Sequence, residues 1–183
     1  MVTITVNNDI ILRTYKPEDA DGLFTAINAS RRHLGIWLDW IKHTTRTEHS
    51  MQYIKDSLHQ ANMQEALYLG IFYDGILVGG VNMYQWDREV KKALIGYWIV
   101  KEQEGKGVIS ICLQYFTRFL FEKTGLNKIE IHFSVANKRS AKVAERLGCK
   151  IEGIIRQSAL RNGVREDVVV CGLLKSEWEG RVV

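Results

Sequence analysis

Glu104-Gly-Lys-Gly-Val-Ile-Ser110 lies between two apolar runs, Leu94-Ile-Gly-Tyr-Trp-Ile-Val100 before it and Val108 to Phe121 after it. The order strand, glycine turn, helix presents main-chain N–H groups to an anion. Gly105 and Gly107 carry no Cβ, so a ligand can approach the backbone closely. The start of the helix adds unpaired donors and a partial positive charge. A pyrophosphate suits such a turn, but two common phosphate motifs do not fit. A P-loop needs Gly where Val100 stands and Ser or Thr where Gly107 stands. The dinucleotide fingerprint needs a third Gly in place of Ser110, and an acidic strand end about 20 residues on, where the next strand is only beginning. Taken alone, the turn leaves two readings open, an anion loop or a plain strand-to-helix connection.

Downstream, the pattern Lys128–Val135 reads as a strand, and Asn137-Lys-Arg-Ser140 leads into the helix Ala141-Lys-Val-Ala-Glu-Arg-Leu147, closed by Gly148. Asn137 is a good helix N-cap and Ser140 an ordinary third helical residue. Upstream, Ile76–Tyr84 and Leu67–Tyr73 are strands joined through the hairpin signal Asp74-Gly75. Thr47 to Asn62 is a helix, with Met51, Ile54, Leu58 and Ala61 at helical spacing. Residues 30–41 suggest a short helix, Ile10–Tyr15 a strand, and Pro17-Glu-Asp19 a helix first turn suited to the dipole. Two last strands near 150–160 and 165–175 are joined through Arg161-Asn-Gly163. The crossover through the helix from Gly107 to about Gly125 makes strands 92–100 and 128–135 parallel neighbours.

Composition narrows the class. The 183 residues, 46% of them hydrophobic and with a single proline, indicate one domain over 1–183 with a substantial core and no linker. The net charge of +4 is scattered, not gathered on a basic face, so no direct nucleic-acid partner is expected. Cys112, Cys149 and Cys171 are widely spaced and odd in number, which fits a reducing cytoplasm. No apolar run reaches the ~20 residues that span a bilayer. The polar Asn7-Asn-Asp9 near the start does not read as a signal peptide. His43 and His49 with Glu48 lack a metal-ligand pattern, so no metal is expected.

The glycine turn and the Asn137–Gly148 segment together resemble the GNAT N-acetyltransferases. Arg146-Leu-Gly-Cys-Lys-Ile-Glu-Gly153 is similar to that family's Leu-Gly-Phe-x-x-Glu-Gly, with Cys149 where Phe is common. Ile11-Leu-Arg-Thr-Tyr-Lys-Pro-Glu-Asp-Ala20 and Leu173-Leu-Lys-Ser-Glu-Trp178 resemble the branch that acetylates ribosomal-protein N-termini. The resemblance implies an α+β fold layered α/β/α, with a mixed seven-stranded sheet whose parallel pair splays to admit acetyl-CoA. It implies that Gly105, Lys106, Gly107, Val108, Ile109 and Ser110 hold the pyrophosphate. Trp98, Ile99 and Val100 would offer backbone groups to the amide-rich arm, Asn137 would bind pantetheine, and Ser140 would protonate the leaving thiolate.

Trp37, Trp40 and Trp86 are candidates for acceptor contacts. Arg139, Lys142 and Arg146 are either nucleotide contacts or a wet helix face. Four features depart from the pattern. Asp167-Val-Val-Val-Cys171 has no Tyr where the family's usual acid is expected, and Ser158-Ala159-Leu160 stands where some relatives carry a basic Glu. Glu104 replaces the usual Gln or Arg, and Ile109 a small residue, so weaker CoA affinity is expected. Glu130 and His132, alternating with Ile129, Ile131 and Phe133, form either a proton-carrying pair or a structural face.

Without a strong base, the acceptor's own neutral fraction matters. An α-amine of pKa ~7.8 is roughly 15% neutral at pH 7 and a lysine of ~10.4 about 0.04%, a difference of ~3.5 kcal/mol. The expected acceptor is therefore a protein N-terminal amine, that of a ribosomal protein by resemblance. The rivals are a polyamine, an amino acid or an aminoglycoside, or a non-catalytic acyl-CoA-binding module. A homodimer or higher homo-oligomer is expected through the Trp-rich early helices and the last strands.

Overall fold

Alternating apolar residues build one continuous sheet in this computed structural model, which describes residues 1–161 and 163–180. Its strands are β1 (Thr3–Thr5), β2 (Ile10–Thr14), β3 (Leu67–Tyr73), β4 (Ile76–Asp87), β5 (Lys92–Ile99), β6 (Lys128–Ser134), β7 (Lys150–Arg161) and β8 (Val164–Leu174), in the order β1-β2-β3-β4-β5-β6-β8-β7. All pairs are antiparallel except β5 and β6. The helices are α1 (Ala20–Ala29), α2 (Arg31–Leu34), α3 (Thr47–Asn62), α4 (Val108–Lys123), α5 (Lys138–Leu147) and α6 (Lys175–Glu179).

Two neighbouring residues fix the layering. Trp98 meets Trp40 edge-on at 6.2 Å, and Trp40 stacks on Tyr53 of α3. Tyr97 reaches Ser140 of α5. Successive strand side chains point to opposite faces, so α3 and α5 cover opposite sides of the sheet. Between the layers lie Leu23, Ile27 and Ile54 on the side of α1 and α3, and Leu12, Leu69, Ile71, Leu113, Phe116, Leu120 and Ile129 on the side of α4, each fully buried. Full burial of side chains this size contributes roughly 1.5–3 kcal/mol apiece. Gly80 allows the close approach of β4 to the aromatic layer, because a Cβ there would lie 2.6 Å from Trp98 Nε1 and 2.7 Å from Tyr15 Oη.

The sheet differs from the sequence expectation in three places. Among the described residues it has eight strands, not seven, because Thr3–Thr5 adds an edge strand to β2. Three residues give too short an alternation to stand out in the sequence. The helix expected over 30–41 breaks into α2 and a 3₁₀ turn at Asp39–His43. The break follows Gly35, a poor helix former. β4 runs on to Asp87, past Tyr84, through a bulge where Gln85 has φ 50°. Asn162, the middle residue of the expected last hairpin turn, lies outside the described residues.

Candidate active site

The parallel pair is short. Its last paired residues are Leu94 and Glu130, yet β5 continues to Ile99 and β6 to Ser134. Each strand keeps its outer partner, Ile99 opposite Gly79 on β4 and Ser134 opposite Val168 on β8. The two inner edges therefore diverge into a wedge. A cleft of about 450 Å³ fills it, running from the glycine turn down β5, with α5 and β6 on the far wall.

At the turn, Gly105 and Gly107 have φ 79° and 81°, left-handed values that a side chain tolerates poorly. Gly107 is the N-cap of α4. The first amides of α4, from Val108 on, have no carbonyl one turn earlier in the helix to bond. Val108, Ile109 and Ser110 line the cleft beside Gly105 and Gly107, whereas Lys106 is exposed on the outer side of the turn. This is a ready-made anion cradle.

On β5, alternation selects which backbone groups meet the wedge. Val100 donates to Val78 O at 2.8 Å, so Val100 and, two residues back, Trp98 turn their N–H groups toward β4. Lys91 O accepts from Lys128 N, which sets Lys91 and the alternate residues after it facing β6. Tyr97 and Ile99 thus present their backbone at the open edge. The expectation for Ile99 agrees with this geometry. For the backbones of Trp98 and Val100 the correction is that both are committed to β4, and Tyr97 takes the place expected of Trp98.

On the far wall, Asn137 Oδ1 accepts from Ser140 N at 3.0 Å and caps α5. Ser140 Oγ lies 2.6 Å from the Tyr97 hydroxyl. Burial pushes the Tyr97 phenol well above its ordinary pKa, and the Ser140 hydrogen bond only partly offsets this. The chain thus places a phenol beside the wedge although the stretch 167–171 has none. Alternation on β5 was the one signal for it, because it puts Tyr97 on the face opposite Trp98.

Glu104 draws the outer end together. It meets Arg139 Nη1 at 2.8 Å, Lys101 Nζ at 2.5 Å and His33 Nε2 at 3.8 Å. Burial alone would raise its carboxyl, but the Lys101 hydrogen bond and the charges of His33 and Arg139 hold it below the usual carboxylate range. His33, half-buried, is lowered by desolvation against the pull of Glu104. It lines the cleft at the turn, beside Glu104. Arg139, Lys142 and Arg146 all line the cleft.

The tryptophans separate. Trp37 lines the cleft, with the Arg161 guanidinium 5.4 Å from its ring; Arg161 also donates to Ile36 O and Glu166. Trp40 stands one layer behind, against Tyr53 and Trp98. Trp86 lies outside the cleft, in a shallow depression with Arg88 4.2 Å over its ring. The β4 bulge turns it there. Glu130 is buried and bridged by Lys92 at 3.2 Å, Lys128 at 3.0 Å and His132 at 3.2 Å, while His132 itself lines the cleft.

A parallel pair opened beside a glycine turn at a helix start is an acyl-CoA-binding architecture. Residues 9–150 match the family described as Acetyltransferase (GNAT) domain. The chain is 36% identical, over 98% of its length and 99% of the relative's, to the "Putative ribosomal N-acetyltransferase YdaF" of Bacillus subtilis (strain 168). It is 25% identical, over 91% of its length and 93% of the relative's, to the "Ribosomal-protein-serine acetyltransferase" of Escherichia coli (strain K12). Among solved structures, the microcin C7 self immunity acetyltransferase MccE in complex with acetyl-CoA and AMP matches with TM-score 0.88 and 26% identity, covering 92% of this chain and 94% of that one. The chain belongs to the GNAT family and is an acetyl-CoA-dependent N-acetyltransferase.

Proposed function

We propose that this enzyme acetylates the N-terminal α-amine of a protein, a ribosomal protein being the best match, and that one domain over 1–183 carries the activity. The observation that carries the reading is the wedge between β5 and β6, open along the Tyr97–Ile99 edge and headed by the glycine turn. Acetyl-CoA supplies the acyl group as a thioester. The amides from Gly105 to Ser110 hold its pyrophosphate, and the Lys106 ammonium adds attraction from outside the turn. Ile99 and Tyr97 pair with the amide-rich arm from the β5 edge, and Asn137 faces that arm from α5. A backbone N–H on the same edge polarises the thioester carbonyl, an effect worth about 3 kcal/mol when one such donor is lost. Ser140 gives a proton to the departing sulfur.

The acceptor enters past Trp37, the candidate tryptophan that lines the cleft; Trp40 supports that wall through Trp98. Among the described residues lining the cleft, no carboxylate other than Glu104 is present, and Glu104 is engaged at the turn. That supports an acceptor which deprotonates unaided near neutral pH, an α-amine and not a lysine. The names of the two bacterial relatives support the ribosomal choice. Three widely spaced cysteines, an odd number, support a reducing, cytoplasmic setting. The exposed apolar side chains of β7, including Ile151 at 71% and Ile154 at 56%, support a homodimer formed over that edge.

Incubating purified enzyme with labelled acetyl-CoA and cell-extract proteins, followed by mass spectrometry, tests the reading. Label on protein N-termini is the expected result. Label chiefly on internal lysines, or thiol release only with polyamines, amino acids or aminoglycosides, rejects the acceptor class. Binding of acetyl-CoA without thiol release for any acceptor rejects catalysis.

A further inference from the structure

We infer that Tyr97 is a positioning residue for Ser140, joining the two lips of the wedge and aiming the serine hydroxyl at the sulfur of the bound thioester. The inference rests on the reading of Ser140 above and deepens it.

Three observations carry the argument. First, the contact is specific. Tyr97 Oη and Ser140 Oγ are 2.6 Å apart, at the short end for O–H···O bonds, and they come from elements 43 residues apart in sequence. Second, both partners are held from behind. Tyr97 stands on a strand anchored along its length to β4, with Val81 opposite it. Ser140 is fixed in the first turn of α5 by the Asn137 cap. Neither atom has to move far for the bond to persist. Third, the bond lies at the open part of β5. Tyr97 is three residues beyond Leu94, the last residue paired with β6, and its own backbone faces the same gap.

The direction of the bond follows from acidity. A phenol is a far stronger acid than an alcohol, so Tyr97 donates and Ser140 Oγ accepts. The serine proton is then left over, and Ser140 lines the cleft into which it can point. As the carbon–sulfur bond breaks, the electron pair stays on sulfur and Ser140 passes its proton there. The proton lost by the attacking nitrogen returns to Ser140 through solvent. Amine and thioester become amide and thiol, and the serine ends as it began. Tyr97 keeps its proton throughout, because a buried phenol is a weaker acid than the thiol being formed. It orients the donor and does not replace it. The missing tyrosine of the stretch 167–171 is therefore answered in part from β5.

The test uses the full chain in four forms: wild type, Tyr97→Phe, Ser140→Ala and the double variant. Phe keeps the ring and its packing and removes only the hydroxyl. For each form, thermal melting reports folding, calorimetry reports the Kd for acetyl-CoA, and thiol release with a peptide α-amine reports kcat. Tyr97→Phe is expected to leave Kd within about twofold and to lower kcat about tenfold, the fold-change expected for loss of one oriented hydrogen bond. In the Ser140→Ala background, adding Tyr97→Phe should cost less than about twofold, since residues acting as one unit are not additive. Ser140→Thr, which keeps a hydroxyl, should recover part of the lost rate only when Tyr97 is present.

Wild-type kcat for Tyr97→Phe, alongside an impaired Ser140→Ala, overturns the role of Tyr97 and leaves the role of Ser140 standing. An equal loss from Tyr97→Phe with and without Ser140 also overturns it, as does a loss of kcat matched by weaker binding and a lower melting point. Wild-type kcat for Ser140→Ala overturns the reading of Ser140 and this inference with it.

Discussion

Glu104 is the residue most at odds with its surroundings. A carboxylate at the lip of an anion cradle repels a pyrophosphate, and here it also occupies Lys101 and Arg139. Replacing Glu104 with Gln removes the charge and frees both cations. The expected result is CoA binding tighter by roughly three- to tenfold, the effect of one nearby charge in a partly solvated site. Calorimetry at low and high salt checks it; the gain should shrink with salt, and an unchanged Kd would assign Glu104 no electrostatic role. Gly107 is the opposite case, a residue fixed by geometry. At φ 81° the change Gly107→Ala should cost about 1 kcal/mol of stability and weaken CoA binding, read by urea melts and calorimetry together. Both residues were legible as loop residues in the sequence. The clasp that Glu104 makes was not, because His33 and Arg139 come from helices far away along the chain.

At the level of elements, the entry to α1 is tied to β2 by a bidentate pair. Arg13 Nη1 and Nη2 each reach an Asp19 carboxylate oxygen at 2.7 Å, and the Lys16 amide donates to the same carboxylate. Partial burial would raise the Asp19 carboxyl, but the Arg13 and Lys16 hydrogen bonds carry it below its ordinary value. A carboxyl depressed in the folded state stabilises fully above its unfolded pKa and loses that contribution as pH falls through the folded one. Asp19→Asn should therefore cost about 2 kcal/mol at pH 7, the usual worth of a charged hydrogen-bonded pair. In urea melts the gap between wild type and variant should narrow as pH falls below the ordinary aspartate range and through the lowered folded value, since both are then uncharged at this position. A gap that persists in acid would mean the cost is packing and not charge. Among elements, α4 and α5 were plain from their glycine boundaries and apolar spacing. The break between α2 and the 39–43 turn was not, since Trp37, Leu38 and Trp40 kept a helix-like density of apolar residues across it.

Over the whole molecule, the sheet buries two of the three thiols. Cys112 is fully enclosed, with burial pushing its thiol up to about 12, and Cys171 is buried likewise. A water-soluble disulfide reagent at about pH 8 should label at most Cys149 in the native protein and all three after urea unfolding. Prompt labelling of Cys112 would mean that the α4 layer opens. At the other extreme, β7 leaves a long apolar edge in solvent. Sedimentation equilibrium should give a dimer at micromolar concentration, and Ile154→Lys, which adds charge to the edge, should shift it to monomer. A monomer at all concentrations would refute the β7 interface.

The sequence by itself determined the family, the parallel crossover, the glycine turn and the Asn137–Ser140 helix start. Each of these is encoded by residues close together along the chain, where φ, capping and apolar period act locally. The tertiary structure decided which edge of β5 is open, that Trp98 and Val100 turn their backbones to β4, that Trp86 leaves the site and that Tyr97 meets Ser140. Those outcomes depend on register between distant strands, and a shift of a single residue exchanges the two faces and the two edges.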